Sequence, residues 1–430
     1  MPTIGQVLIR YKEDPRTGLF SQRVHHAGFH SAEMVHVNDV YTIYSDLIPS
    51  EIQQTTGLLY HPVAQEAVID QPLSPAAFDW CIEIGFLPGV TDNEGQTAEE
   101  SIRDALGKEN LALRVFYSQQ LFLKGKLSLD EINQLAESFY NPVIQRAHMK
   151  NYSTYMQEKG MNKLIPLVKI SQKQKADIVD LNITDAQLTE MGKKGIMDSD
   201  ATGKNVSRGP LALDLDSMKV IQNYYLEKNR NPTDVELESL AQTWSEHCKH
   251  TIFAAALGNK ETGYVEDGLY KHYIKRATNE IRALKGKDDF CVSVFVDNSG
   301  GIRFDEHWIV TDKVETHNSP SALDPFGGAI TGIVGVNRDA IGFGMGAKPI
   351  ANRFGFCFAD PRDDSPLYRG KGKQSKMLVP RRIMEGVIAG VNSGGNCSGI
   401  PTPQGFSLFD ERFKGKPLVF VGTLGLIPQK

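Results

Sequence analysis

Lys313, Glu315 and His317 stand at alternate positions in the segment Asp312-Lys313-Val314-Glu315-Thr316-His317-Asn318-Ser319-Pro320. The stretch that holds these three, GGIRFDEHWIVTDKVETHN, reads as strand, and side chains two apart on a strand share a face. A cation, a carboxylate and an imidazole on one face at a strand end could meet a phosphate, hold Mg²⁺ and move a proton. The alternative is a solvated strand face.

A second group is Trp244-Ser245-Glu246-His247-Cys248-Lys249-His250. Leu237, Leu240, Ala241, Trp244 and Cys248 form an apolar stripe at helical spacing, and His247 falls at its edge near the expected helix end. An imidazole there can reach a cleft; a half-buried structural histidine is the bland alternative. A zinc site is poorer still, because adjacent ligands point apart on a helix.

The third group runs from Pro325 to Asp339, PFGGAITGIVGVNRD. Its glycines read as a loop whose backbone N–H groups could approach an anion, ahead of a helix N-terminus. Neither common nucleotide-loop pattern is present in it. Arg338 and Asp339 add a phosphate fork and a candidate metal carboxylate. Two more glycine-dense turns follow, Gly342–Pro349 and Gly394–Pro401, and a basic cluster of Arg369, Lys371, Lys373, Lys376, Arg381 and Arg382 lies between them. That cluster reads first as a solvated loop and second as a phosphate contact.

The elements around these groups are those of an ordinary globular chain. Of 430 residues, 40% are hydrophobic and 23% charged, which excludes disordered and fibrous classes. The net charge of −5 gives no global positive field for nucleic acid. No apolar run is long enough for a membrane helix, and the N-terminus lacks a secretory pattern. Five scattered cysteines, Cys81, Cys248, Cys291, Cys357 and Cys397, suggest a reducing compartment rather than a disulfide framework. A cytoplasmic location is expected.

The first 150 residues read as strands alternating with helices, in two weakly similar halves; compare IRYKEDPRTGLFSQRVHHAGF with IGFLPGVTDNEGQTAEESIRDAL. Thr97 and Glu100 have capping-box spacing, as do Thr233 and Glu236. Residues 151–215 lack periodicity and read as a linker holding short helices; residues 216–430 read as one α/β domain.

Together, WSEHCKH, then KVETHNSPSALDPFGGAITGIVGVNRD, then GMGAKP resemble the formylglycinamide ribonucleotide amidotransferase family, strongly over about residues 216–430. The resemblance implies an α+β and α/β chain: a duplicated ferredoxin-like accessory domain (1–150), a linker (151–215) and one aminoimidazole-ribonucleotide-synthetase-type N-terminal α/β domain (216–430). It implies an ATP-dependent ligase of purine biosynthesis. ATP phosphorylates the amide oxygen of formylglycinamide ribonucleotide, and ammonia from glutamine displaces the phosphate from the iminophosphate.

Site roles follow from the same resemblance. His247 and His317 are the implied catalytic histidines, His317 as proton acceptor. Lys313, His250, Gly327, Gly328, Thr331 and Gly332 are implied at ATP, and Thr316, Asn318, Ser319 and Arg338 at the substrate. Glu315 and Asp339 are the implied Mg²⁺ ligands. Ser319 stands where many members have a second histidine, and His250 where some short forms have tyrosine. The chain holds one α/β unit where family synthetases repeat it, and it shows no glutaminase segment. The expected partners are therefore a separate glutaminase and either the remaining synthetase domains or a second copy. The rival function is a non-catalytic scaffold that organises synthetase and glutaminase.

Overall fold

A computed structural model describes residues 3–108, 111–168, 176–199, 205–244, 251–369 and 375–429. Two units are separately compact: residues 1–168 with 290–430, and residues 169–289.

The N-terminal domain is one six-stranded antiparallel sheet. Its elements run β1 (Thr3–Tyr11), α1 (Arg16–His26), β2 (Glu33–Ser45), α2 (Pro49–Thr56), β3 (Gln65–Ile69), β4 (Trp80–Phe86), α3 (Asn93–Leu106), β5 (Leu113–Lys124), α4 (Leu129–Ala136) and β6 (Gln145–Asn151). Each half is thus strand, helix, strand, helix, strand. The spatial order β3-β1-β2-β5-β4-β6 reads the same from either edge when the halves are exchanged, and β2 and β5 join them. Alternation along the strands sends Val7, Ile9, Ile43, Ile82, Ile84, Leu121 and Leu123 to the face covered by the four helices. Leu8, Val40, Cys81 and Phe122 face the other way, under Leu73, Phe78, Met161 and Tyr155 of α5 (Tyr152–Gln157).

The sequence places the start of α3 too late. The helix begins at Asn93, where the Asp92 carboxylate accepts from Gly95 N at 2.8 Å. Thr97 lies inside the helix and donates to the Asn93 carbonyl. An aspartate one turn earlier, also held by Tyr117 N at 2.7 Å, is the stronger cap.

Residues 176–199 and 205–244 together form one small helical core. It comprises α6 (Asp185–Lys194), β7 (Met197–Ser199), β8 (Asn205–Ser207), α7 (Leu215–Glu227) and α8 (Asp234–Trp244). Leu181, Leu188, Ile196 and Leu213 pack against Met218, Ile221, Leu237 and Ala241, so a boundary at residue 215 would cut through one core. The Thr233–Glu236 box forms: Thr233 N donates to Glu236 Oε2 at 2.8 Å, and Glu236 N to Thr233 Oγ1 at 3.2 Å. The unit continues through α9 (Thr251–Ala254), β9 (Ala256–Gly258), β10 (Val265–Asp267) and α10 (Arg276–Lys285).

The α/β domain is built on β11 (Cys291–Ser293), β12 (Gly300–Arg303), β13 (Trp308–Thr316), β14 (Lys348–Phe358), β17 (Gln404–Phe409) and β18 (Leu418–Pro428). Their order is β11-β12-β13-β18-β14-β17, antiparallel except for the parallel β14–β17 pair. Between them come α11 (Asn318–Leu323), α12 (Pro325–Ile341), the small hairpin β15 (Tyr368–Arg369) and β16 (Ser375–Lys376), and α13 (Pro380–Gly394). Ala329, Ile333 and Val336 of α12 and Ile383, Val387 and Val391 of α13 cover Phe356, Phe358, Val419 and Val421 on one sheet face. The two helices pack closely at Gly390, where a Cβ would come within 2.5 Å of the Phe326 carbonyl. Among the described residues, no helix is long and apolar enough to cross a membrane.

Candidate active site

The segment from Pro325 to Asp339 is a helix, not a glycine-rich loop. Pro325 opens it at a position where a missing N–H costs nothing. Its glycines lie on a helical face: Gly328, Gly332 and Gly335 are spaced four and three apart, and all are buried. A Cβ at Gly328 would come within 2.4 Å of Ser321 N, one at Gly332 within 3.1 Å of the His317 ring, and one at Gly335 within 3.1 Å of Glu315 Oε2. The face lets α12 lie against α11 and the end of β13.

The strand alternation holds. Lys313, Glu315 and His317 turn toward α12 and meet in a line of charges. Lys313 Nζ is 2.9 Å from Asp339 Oδ2 and 3.8 Å from Glu315 Oε1, and His317 Nε2 is 3.5 Å from Glu315 Oε2. Their side chains are 20–33% exposed, so solvent screens them only in part while a ligand can still reach them. His317 Nδ1 is buried and has no partner among the described residues, on the ring that packs at Gly332.

Not every expected residue joins this line. Thr316 alternates to the opposite strand face and is exposed. Asn318 uses its Oδ1 to accept from Val419 N at 2.8 Å, tying α11 to β18. Ser319 and Arg338 are exposed near the site, in the first turn of α11 and beside Asp339. Gly327 closes on the Asp324 carboxylate, and Thr331 donates to the Gly327 carbonyl at 2.7 Å. Gly328 and Gly332 meet their own chain, so they position the site rather than cradle phosphate with a loop. His247 and His250 lie outside the described residues. The basic cluster is partly spent on ties: Lys376 on Glu137, Arg381 on the Pro361 carbonyl and Arg382 on the Phe139 carbonyl.

Beneath the charges lies a buried polar knot that the sequence does not announce. Asn337 Oδ1 accepts from Asn352 Nδ2 and Thr423 Oγ1, each at 2.7 Å. Thr423 is the cross-strand neighbour of Lys313, and Asn337 stands two residues before Asp339. The knot therefore sets the helix and strand that carry the Lys313–Asp339 pair. Its members come from α12, β14 and β18, and no local pattern links them.

Residues 204–250 match the formylglycinamide ribonucleotide amidotransferase linker domain, and residues 296–427 the N-terminal domain of AIR synthase related proteins. The second span contains the whole charged line. About half of this chain is similar to the PurL synthetase subunit. It is 33% identical to phosphoribosylformylglycinamidine synthase subunit PurL of Thermoplasma volcanium over 220 residues, 51% of this chain and 25% of that protein. Against the Thermoplasma acidophilum PurL the identity is 35% over 229 residues, 53% of this chain and 26% of that protein. The chain thus spans about a quarter of the length of these relatives. Among solved structures, Thermotoga maritima PurL complexed with FGAR is 26% identical, with a TM-score of 0.32, over 49% of this chain and 26% of that one. The ATP complex of the same protein has a TM-score of 0.30. The α/β domain is accordingly of the AIR synthase type, and a linker domain precedes it.

Proposed function

We propose that this chain is part of a phosphoribosylformylglycinamidine synthase. It would act in the cytoplasm, in the ATP-dependent conversion of formylglycinamide ribonucleotide to the amidine, with ammonia from a separate glutaminase. The observation that carries this is the Lys313–Asp339–Glu315–His317 line, packed on a glycine face inside the span that matches the AIR synthase type. The 220 residues matched in the Thermoplasma volcanium relative are a quarter of that protein, so further domains, or a second copy, would complete the cleft. The N-terminal domain, with its two like-ordered halves, fits a duplicated ferredoxin-like accessory domain.

The residues present fit a divalent cation. Glu315 and Asp339 offer hard oxygen ligands from two elements, and the Lys313 ammonium already lies between them as a positive stand-in. Mg²⁺ takes one or two protein carboxylates and fills the rest with water and phosphate oxygens, so two suffice. When bound, the ion would screen the triphosphate. Lys313 would turn to a phosphate oxygen once its carboxylates hold the cation, and stabilise charge on the transferring group. His317, with Nε2 3.5 Å from Glu315 Oε2, would take the proton released as the amidine forms. Ser319, Arg338 and the Asn318 amide N–H₂ would contact substrate at the mouth, with Thr316 turned to the other strand face. Gly327, Gly328, Thr331 and Gly332 would set the helix against which nucleotide lies. His247 and His250 would join the catalytic and ATP sites, as the family resemblance suggests.

Calorimetric titration of the chain with Mg²⁺ and a non-hydrolysable ATP analogue, with and without formylglycinamide ribonucleotide, tests the proposal. Mg²⁺-dependent binding that weakens in Glu315→Ala and Asp339→Ala supports it. Equal affinity in wild type and both variants would sink the metal assignment.

A further inference from the structure

The segment that follows α4, Glu137 to Asn141, touches the α/β domain three times. Glu137 pairs with Lys376. The Phe139 carbonyl accepts from Arg382 Nη2 at 3.0 Å, and Asn141 Nδ2 donates to the Leu323 carbonyl at 2.7 Å. Partial burial pulls the Arg382 guanidinium down to about 10, with Arg23 adding to the effect.

The Asn141 contact falls at a sensitive point. Leu323 ends α11, and the last carbonyls of a helix have no partner within it. Asp324 and Pro325 then turn the chain straight into α12. At this corner Gly328 rests on the Pro320–Ser321 backbone, and one turn on Gly332 rests on the His317 ring. The angle between α11 and α12 therefore sets where the imidazole sits relative to Glu315.

The first half of the N-terminal domain provides an internal comparison. Tyr60-His61-Pro62-Val63 and Tyr140-Asn141-Pro142-Val143 occupy the same turn. His61 N donates to Gln65 Oε1 at 2.7 Å and Gln65 N to the His61 carbonyl at 2.8 Å. Asn141 N donates to Gln145 Oε1 at 2.9 Å and Gln145 N to the Asn141 carbonyl at 2.7 Å. The turn thus forms with an exposed histidine at this position. The second half instead has an asparagine, 5% exposed, with its carboxamide N–H₂ spent on Leu323.

We infer that Asn141 is a positioning residue for the candidate active site: from the N-terminal domain it holds the α11–α12 corner and so fixes His317. The inference deepens the proposed function and rests on it for its meaning in catalysis. The physical coupling is tested without nucleotide. Asn141→Asp keeps the acceptor for Val143 N but turns the donor to Leu323 into a second acceptor. His61→Asp makes the matching change in the first half and serves as control. In the full chain, Asn141→Asp should speed amide exchange over residues 321–328 about tenfold and move the His317 ring resonances. The control should leave both unchanged. Should Asn141→Asp fail to fold, Asn141→Ser, too short to reach Leu323, takes its place. Wild-type exchange at the corner together with unmoved His317 ring resonances would overturn the inference. Neither readout needs ATP, so a wild-type chain that binds no Mg-ATP counts against the function alone.

Discussion

Lys313 on β13 and Asp339 near the C-terminal end of α12 meet at 2.9 Å, an ion pair between the two elements that form the site. A carboxylate near a helix C-terminus opposes the helix dipole, so Asp339 gains from a facing cation. Under the proposed function, this pair is the resting arrangement that nucleotide and metal would rearrange.

Asp339→Asn tests that arrangement. Mg-ATP-analogue affinity should fall about tenfold, about 1.4 kcal/mol, while the thermal midpoint stays close to wild type because the pair is partly exposed. A large stability loss with unchanged affinity would make the pair structural.

Gly328 and Gly335 should respond in opposite ways to alanine. At Gly328 the new Cβ would strike backbone, 2.4 Å from Ser321 N and 2.5 Å from the Pro320 carbonyl carbon. Overpacking against atoms that cannot swing away should cost about 2–3 kcal/mol, seen as a lower urea midpoint. At Gly335 the neighbour is the movable end of Glu315, 3.1 Å away. There stability should hold or rise by up to about 1 kcal/mol from helix propensity, while Mg-ATP affinity falls because Glu315 is displaced.

The polar knot should be costly to break. Asn337→Leu removes the acceptor shared by Asn352 Nδ2 and Thr423 Oγ1, which keep the 2.7 Å bond between themselves, and frees the Gly394 carbonyl, with a loss of about 2–4 kcal/mol measurable by denaturant unfolding. A near-neutral result would show that the surrounding elements are held by apolar packing alone.

Glu83 predicts a pH dependence in the N-terminal domain. It is 3% exposed on β4 and accepts from Ser118 Oγ and Gln120 Nε2, each at 2.9 Å. Burial raises its pKa despite those bonds. A carboxyl with a raised folded pKa binds its proton more tightly in the folded state. Its contribution is therefore most favourable below the unfolded pKa and is lost as pH rises to the folded one. Glu83→Gln should remove that decline, so the variant gains on wild type as pH rises above the ordinary glutamate range. Parallel stability–pH curves for the two proteins would refute this.

Much of the site was legible locally. The face shared by Lys313, Glu315 and His317 follows from strand alternation, a backbone property that needs no neighbour. The Thr233–Glu236 cap follows from a four-residue spacing in the same way. The start of α3 was misjudged because Asp92 competes with Thr97 for the same role, and only the hydrogen bond to Tyr117 N across the fold favours Asp92.

The stretch from Pro325 to Asp339 shows where local reasoning stops. Each glycine costs a helix about 1 kcal/mol relative to alanine, so propensity argues for a loop. The helix forms because those positions let it approach α11, β13 and α13, a gain that exists only once these elements are in place. The glycine spacing of four and three was a helical face in plain view, outweighed by composition. The Asn337–Asn352–Thr423 knot and the Asn141–Leu323 contact had no such trace. Their partners lie far apart along the chain, and hydrogen bonds between distant residues leave no period in a sequence; the folded backbone brings them together.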